Sequence, residues 1–179
     1  MTDATTDTTA GLDPGFAKEF AQRWGAAWNS HDPDRLLELM AEDIVYDDSA
    51  WPRTMHGRAE VREFLTSVWR AIPDLAFDLP DEPFLLHGAP KAVLYWRATG
   101  TFSGPLDPPG FAPTNAQLAF DGFDLHEYRD GLVSRLRIVF DMADISRQAG
   151  LLPKQGSGIE KAGASVQRLV MTVRTRLQR

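Results

Sequence analysis

The chain has 179 residues, 43% of them hydrophobic and 25% charged, with a formal net charge of −6 and a pI near 5.2, which suits one ordinary globular domain around one sizeable core. The acidic balance supplies no field to gather phosphate backbones, so a nucleic-acid partner is not expected. The complete lack of cysteine excludes disulfides, thiolate metal sites and a cysteine nucleophile.

Residues 1–12 are rich in Thr, Asp and Ala with almost nothing to bury, and are expected to be a disordered tail. They show neither the basic region nor the apolar run of a secretory or transit peptide, so the expected address is cytoplasmic. No apolar stretch approaches the roughly 20 residues of a bilayer span, so no membrane partner is expected. Asp13 followed by Pro14 reads as a cap and first helical position, and Phe16, Phe20, Trp24, Ala27 and Trp28 then share one helical stripe. Asp32 and Pro33 repeat the signal and predict a short helix through Leu36, Leu37, Leu39 and Met40. Ile44 to Asp48 alternates as a strand, with Ile44, Tyr46 and Asp48 on one face. A loop from Ser49 to Gly57 leads to a third helix, carrying Val61, Phe64, Leu65, Val68, Trp69 and Ile72 at helical spacing and stopped by Pro73.

From Asp74 the pattern changes to strands: Leu75 to Leu79, Phe84 to Leu86, Ala92 to Phe102, Gln117 to Tyr128 and Leu132 to Asp141. Three helices followed by a sheet make an α+β fold. Asp130-Gly131 predicts a tight hairpin, because both positions tolerate positive φ. The proline-rich segment Gly104 to Asn115 cannot supply ladder N–H groups and is expected to leave the sheet as a loop, a lip over any pocket. Met142 to Ala149 reads as a short helix stopped by Gly150, and residues 153–179 as a linker and a last helix. There Ile159, Ala162, Val166, Leu169, Val170, Val173 and Leu177 form a stripe flanked by Lys161, Arg168, Arg174, Arg176 and Arg179. Packing of that stripe on its own domain or in a homodimer is the expectation, with an anionic membrane as the alternative.

No phosphate loop, dinucleotide fingerprint, zinc motif or repeat is present. Four histidines scattered singly do not make a metal-ligand set, so no metal is expected. In this order of elements, helices close one side of a curved sheet and leave a cone lined by alternate strand residues. Around Asp124 the alternation places Leu118, Phe120, Gly122, Asp124, His126 and Tyr128 on one face. A buried carboxylate needs a partner, with Arg97 or Arg137 as candidates. Asp48 reads equally as a strand-end residue capping nearby amides. His126 beside Asp124 reads either as a proton relay or as a satisfied hydrogen-bonding residue. His56 lies where it can reach a pocket mouth or remain on a surface loop. Trp28, Trp69, Trp96, Phe64 and Phe140 read as core, and Trp24, Tyr46, Trp51 and Phe120 as aromatic walls suited to a planar or polycyclic guest.

The stretches WNSHDPDRLLELMAEDIVYDDSAW, HGRAEVREFL and FDGFDLHEYRDG resemble the ketosteroid isomerase and SnoaL-like pattern of the NTF2-like superfamily, over roughly residues 14 to 152. The resemblance implies a cone of curved, mixed, mostly antiparallel sheet wrapped around three N-terminal helices over residues 13–152, followed by a C-terminal helical extension. It implies that Asp48 stands where steroid isomerases hold the proton-moving aspartate, and Asp124 where they hold a neutral carboxylic acid. The logic is known for the steroid isomerase: one carboxylate in an apolar site takes a proton α to a carbonyl, and a second, desolvated carboxyl donates to the enolate. Trp24 stands where those enzymes have an oxyanion-donating tyrosine, and an indole N–H donates less strongly. SnoaL-like cyclases carry a histidine at the position of Asp124 and a catalytic aspartate where this chain has Ile138. Limonene-epoxide hydrolase relatives use an Asp-Arg-Asp set of which only Arg97 has a counterpart, because Thr99 and Ile138 replace the aspartates.

The reading that follows is a cofactor-independent isomerase or cyclase acting on a small apolar carbonyl compound. Asp48 is its base, Asp124 with Trp24 its oxyanion donor and His126 a secondary candidate. Tyr46, Trp51, His56, Arg97, Phe120 and Ile138 line the guest. The alternative is a non-catalytic ligand-binding or dimeric accessory protein built on the same cone.

Overall fold

A computed structural model describes residues 11–108 and 110–177. The expected disordered tail lies outside these residues except for Gly11 and Leu12, and Leu12 packs against the core. The helices start where the cap chemistry places them. In α1 (Pro14–Asn29) the Asp13 carboxylate accepts the Phe16 N–H at 2.7 Å, and in α2 (Pro33–Leu37) Asp32 accepts from Asp34 at 2.9 Å. The second helix is shorter than its apolar pattern suggests, because Met40 already opens β1 (Met40–Asp48) and pairs with Val133.

The segment after β1 holds a two-residue strand, β2 (Met55–His56), antiparallel to Val45 and Tyr46. A strand this short has no alternation to read, so only the pairing discloses it. Next come α3 (Gly57–Ala71), β3 (Ala76–Asp78), β4 (Phe84–Leu85), β5 (Lys91–Phe102), β6 (Ala116–Arg129) and β7 (Leu132–Phe140). Two helices close the chain, α4 (Met142–Gln148) and α5 (Gly158–Leu177). Asp130 and Gly131 take φ of 53° and 77° and join β6 to β7 as the predicted hairpin. At the start of α4, Asp141 caps through the N–H groups of Ala143 and Asp144.

The curved, unclosed sheet runs β2-β1-β7-β6-β5-β3, with β4 also paired to β5. All pairings are antiparallel except β1 with β7. One face of each long strand is buried against α1 and α3, as in Leu118, Gly122, Asp124, His126 and Tyr128 of β6 and Ala92, Leu94, Trp96 and Ala98 of β5. This is the α+β cone with a C-terminal helical extension. Among the described residues, no helix is long and apolar enough to cross a membrane.

Candidate active site

Strand register brings the two singled-out carboxyls to one level of the cone. Asp48 of β1 and Asp124 of β6 both pair with Ile138 of β7, one from each side. Two strand spacings put their Cα atoms about 10 Å apart on the same inner face.

The half of the cone around Asp124 is filled by the protein itself. Asp124 is buried, and the Trp24 indole donates to its Oδ2 at 3.0 Å while the Trp96 indole donates to its Oδ1 at 2.7 Å. Its partners are therefore two indoles, whereas Arg97 and Arg137 lie exposed on the outer face of the sheet. Both carboxylate oxygens are engaged as acceptors. His126 Nε2 stands 3.5 Å from Oδ2 without forming a hydrogen bond, and its Nδ1 meets the Tyr128 hydroxyl at 3.0 Å. Phe20 stacks on Trp24 and meets His126 and Tyr128 edge-on, with ring centroids 5.0–6.1 Å apart. Burial, and secondarily the charge of Asp124, raises the Tyr128 hydroxyl pKa above its ordinary 10.0.

Trp96 reaches Asp124 because the facing residue has no side chain. A Cβ on Gly122 would lie 2.5 Å from Trp96 Cζ2 and 2.7 Å from Cη2. Trp96 reads as ordinary core in the sequence, and its hydrogen bond becomes visible only through the cross-strand pair Trp96–Gly122.

The other half of the cone is open. A cavity of about 140 Å³ is walled by Trp28, Phe64, Val68 and Ile72 from the helices, Leu118, Phe120 and Phe140 from the sheet, and Ile145 and Ala149 from α4. Leu106 and Phe111 of the proline-rich loop complete it. That loop is tied down where Ser67 donates to the Asp107 carbonyl at 2.7 Å and Thr114 to the Ala149 carbonyl at 2.8 Å. Among the described residues, Asp48 is the only ionisable side chain on this wall. Burial there pushes its carboxyl from an ordinary 3.8 up to about 7; the Ala50 N–H, which donates to it at 2.7 Å, opposes the shift, and the Asp124 charge adds to it.

Tyr46 precedes Asp48 by two residues on the same face and is fully buried, its hydroxyl without a hydrogen-bond partner. Burial first, then the charges of Asp48 and Asp124, push this phenol well above its ordinary range. Its ring packs edge-on against Phe64 at 5.5 Å. Of the remaining sequence candidates, Phe120 lines the cavity itself. Trp51 and Ile138 border, together with Asp48, a polar cleft on the other side of that carboxyl, where Asp47, Arg53, Thr54 and Arg137 also lie. His56 is exposed, and its backbone N–H binds Glu60 at 2.9 Å. Arg97 reaches the Tyr95 hydroxyl at 3.4 Å on the outer surface. The loop residues Leu106 and Phe111 and the α4 residues were not among the sequence candidates. Proline content marked the loop but not which of its apolar side chains turns inward.

A model of the SnoaL-like polyketide cyclase family matches residues 18–149. Among curated proteins, none matches the chain. Similar solved structures include TsrD from Streptomyces laurentii, 22% identical with a TM-score of 0.68 over 79% of this chain and 99% of that one. AclR from Streptomyces galilaeus is 19% identical, with a TM-score of 0.68 over 90% and 98%. A protein of ketosteroid isomerase-like fold from Catenulispora acidiphila, solved in complex with trimethylamine, is 19% identical with a TM-score of 0.62 over 78% and 97%. At these identities the likeness is one of fold.

Proposed function

We propose, from the premise that the chain belongs to the SnoaL-like polyketide cyclase family, that it is a cofactor-independent isomerase or cyclase working by proton transfer on a small apolar carbonyl compound. One observation carries this reading: among the described residues, the single ionisable group on the wall of an apolar cavity is a carboxyl held near pKa 7 by its surroundings. Such a group is ionised often enough at neutral pH to act as a base and basic enough to take a weakly acidic proton. Asp48 removes the proton α to the carbonyl, leaving an enolate and a neutral carboxyl. Return of that proton to another carbon gives an isomer; alternatively the enolate carbon attacks a second carbonyl, forming the ring bond and an alkoxide that takes the proton back from Asp48.

The role of Asp124 then differs from donation to the guest. With both oxygens accepting indole N–H groups, it offers its negative potential instead, which helps to hold Asp48 basic. Trp24 and Trp96 are positioning residues in this scheme. A second reading, a module that binds a ligand without converting it, is favoured by the same sequestration of Asp124 away from the cavity wall.

Asp48→Asn separates the two. The readout is exchange of α-hydrogens of single-ring cyclic ketones in deuterium oxide, followed by NMR. The expected result is a loss of about 10²-fold or more in exchange rate with binding of the same ketones retained. Exchange that continues within a few-fold of the wild type refutes the base assignment and leaves the binding module.

A further inference from the structure

Asp48 borders two spaces of opposite character, and the strand register accounts for both. β1 ends at Asp48, which pairs with Ile138, whereas β7 runs on to Phe140. Past Ile138 no residue of β1 covers that edge of β7. The chain turns there instead, the Trp51 N–H bonding back to the Asp48 carbonyl at 3.1 Å. On the inner side of this gap lies the apolar cavity, walled by Asp48, Ala50 and Phe140. On the outer side lies a polar cleft of about 500 Å³, bordered by Asp47, Asp48, Arg53, Thr54, Arg137 and Ile138. Asp48 is half-buried and common to both walls.

The polar groups of the cleft are engaged with one another, with one exception. Arg53 binds Glu60 at 2.5 Å, and the Ser49 hydroxyl donates to the Ile138 carbonyl at 3.3 Å. Asp47, opposite Arg137 in the register, accepts the Thr54 hydroxyl at 2.5 Å and stands 3.7 Å from Arg135. Elsewhere on the outer sheet face, Glu127 binds Lys91 at 2.8 Å, and Asp121 lies opposite Arg97 on β5. Asp48, the remaining acid of the cleft, faces inward and is only partly charged at neutral pH. The exception is Arg137, which has no ion pair or hydrogen bond among the described residues and stands exposed on the cleft wall. Its planar guanidinium presents paired N–H donors that match a carboxylate.

We propose that the guest is a single-ring ketone bearing an anionic side chain, with the ring seated in the cavity and the side chain passing the end of β1 to meet Arg137. The inference rests on the reading of Asp48 as the base and names the class of compound on which that base acts. The division of space supports it. A cavity of about 140 Å³ holds one ring and nothing more, and the carboxyl against which that ring sits is also on the wall of the cleft. The apolar half of the guest then supplies burial, and the charged end fixes which way round the ring enters.

The test uses cyclohexanone carrying, on the ring carbon beside the carbonyl, a short chain that ends in a carboxylate, and the same compound as its neutral amide. Dissociation constants are measured by calorimetry on the full-length chain, and α-hydrogen exchange in deuterium oxide is followed in parallel. The wild type is expected to bind the acid about tenfold more tightly than the amide. Arg137→Gln removes that preference, Arg137→Lys keeps part of it, and Arg137→Glu moves it to an ammonium-ended analogue. Equal affinities of the wild type for acid and amide overturn the proposal, as does a preference that survives Arg137→Gln. Exchange separates this outcome from failure of the parent reading. A preference for the acid with exchange indifferent to Asp48→Asn refutes the base and leaves the anion-binding cleft standing, whereas exchange that depends on Asp48 with equal affinities for acid and amide does the reverse.

Discussion

Asp48 combines two properties that oppose each other. It is the group on which the proposed chemistry rests, and its position costs stability whenever it is charged. Its folded pKa of about 7 lies above its ordinary 3.8, so the folded state holds the proton more tightly than the unfolded chain. Between pH 4 and 7 the unfolded carboxyl has ionised while the folded one has not, and stability falls across that window before levelling off. The full shift corresponds to about 4 kcal/mol as an upper bound. Asp48→Asn keeps an oxygen for the Ala50 N–H and removes the titration. The variant is therefore expected to match the wild type near pH 4 and to exceed it at pH 8 by up to that amount, as read by urea unfolding at both pH values. Equal differences at the two pH values contradict the assignment. The sequence pointed to Asp48 because alternation and the family pattern agree on it. It did not point to Trp96, because a tryptophan on the inner face of a strand is ordinary core until the strand opposite is known.

At the scale of elements, β5 and β6 work as one unit in which an empty position on one strand admits a large side chain from the other. Gly122→Ala introduces a methyl group 2.5 Å from the Trp96 indole and 2.7 Å from the Val139 carbonyl. Trp96 must then swing away and leave Asp124 Oδ1 without its donor. Overpacking together with a lost buried hydrogen bond is expected to cost about 3 kcal/mol in denaturant unfolding. The exposed neighbour Asp121→Ala, on the outer face, is expected to change stability by no more than about 0.5 kcal/mol. Element positions were legible wherever chemistry acts locally, as at the Asp-Pro helix starts and the Asp130-Gly131 turn. Boundaries failed where pairing decides them: Leu39 and Met40 continue a helical pattern, yet Val133 draws them to the sheet, its N–H binding the Leu39 carbonyl at 3.0 Å.

Across the whole molecule, the aromatic residues divide the cone rather than line one deep pocket. Phe20, Trp24, His126 and Tyr128 fill one half, and the cavity left in the other, about 140 Å³, is the size that accepts a single six-membered ring in a dry apolar site. The sequence suggested a planar or polycyclic guest because it shows how many aromatics face inward but not how much room they leave. Single-ring ketones near 100 times their dissociation constant are expected to stabilise the fold by about 2.7 kcal/mol, a melting shift of roughly 5–10 °C for a chain of this size. Three- and four-ring compounds are expected to give none while the 103–115 loop stays seated, and differential scanning calorimetry distinguishes the two series. Larger shifts with the polycyclic series refute the single-ring cavity.

The parallel seam between β1 and β7 has a consequence for how this protein is made. The strand carrying Asp48 is among the first to leave the ribosome, yet the neighbour it pairs with, around Ile138, is the last strand synthesised. Nearly the entire domain must be translated before that seam can zip, so the nascent chain carries β1 with its β7-facing edge unpaired for most of its synthesis, and closing so long a loop belongs to the slow end of folding.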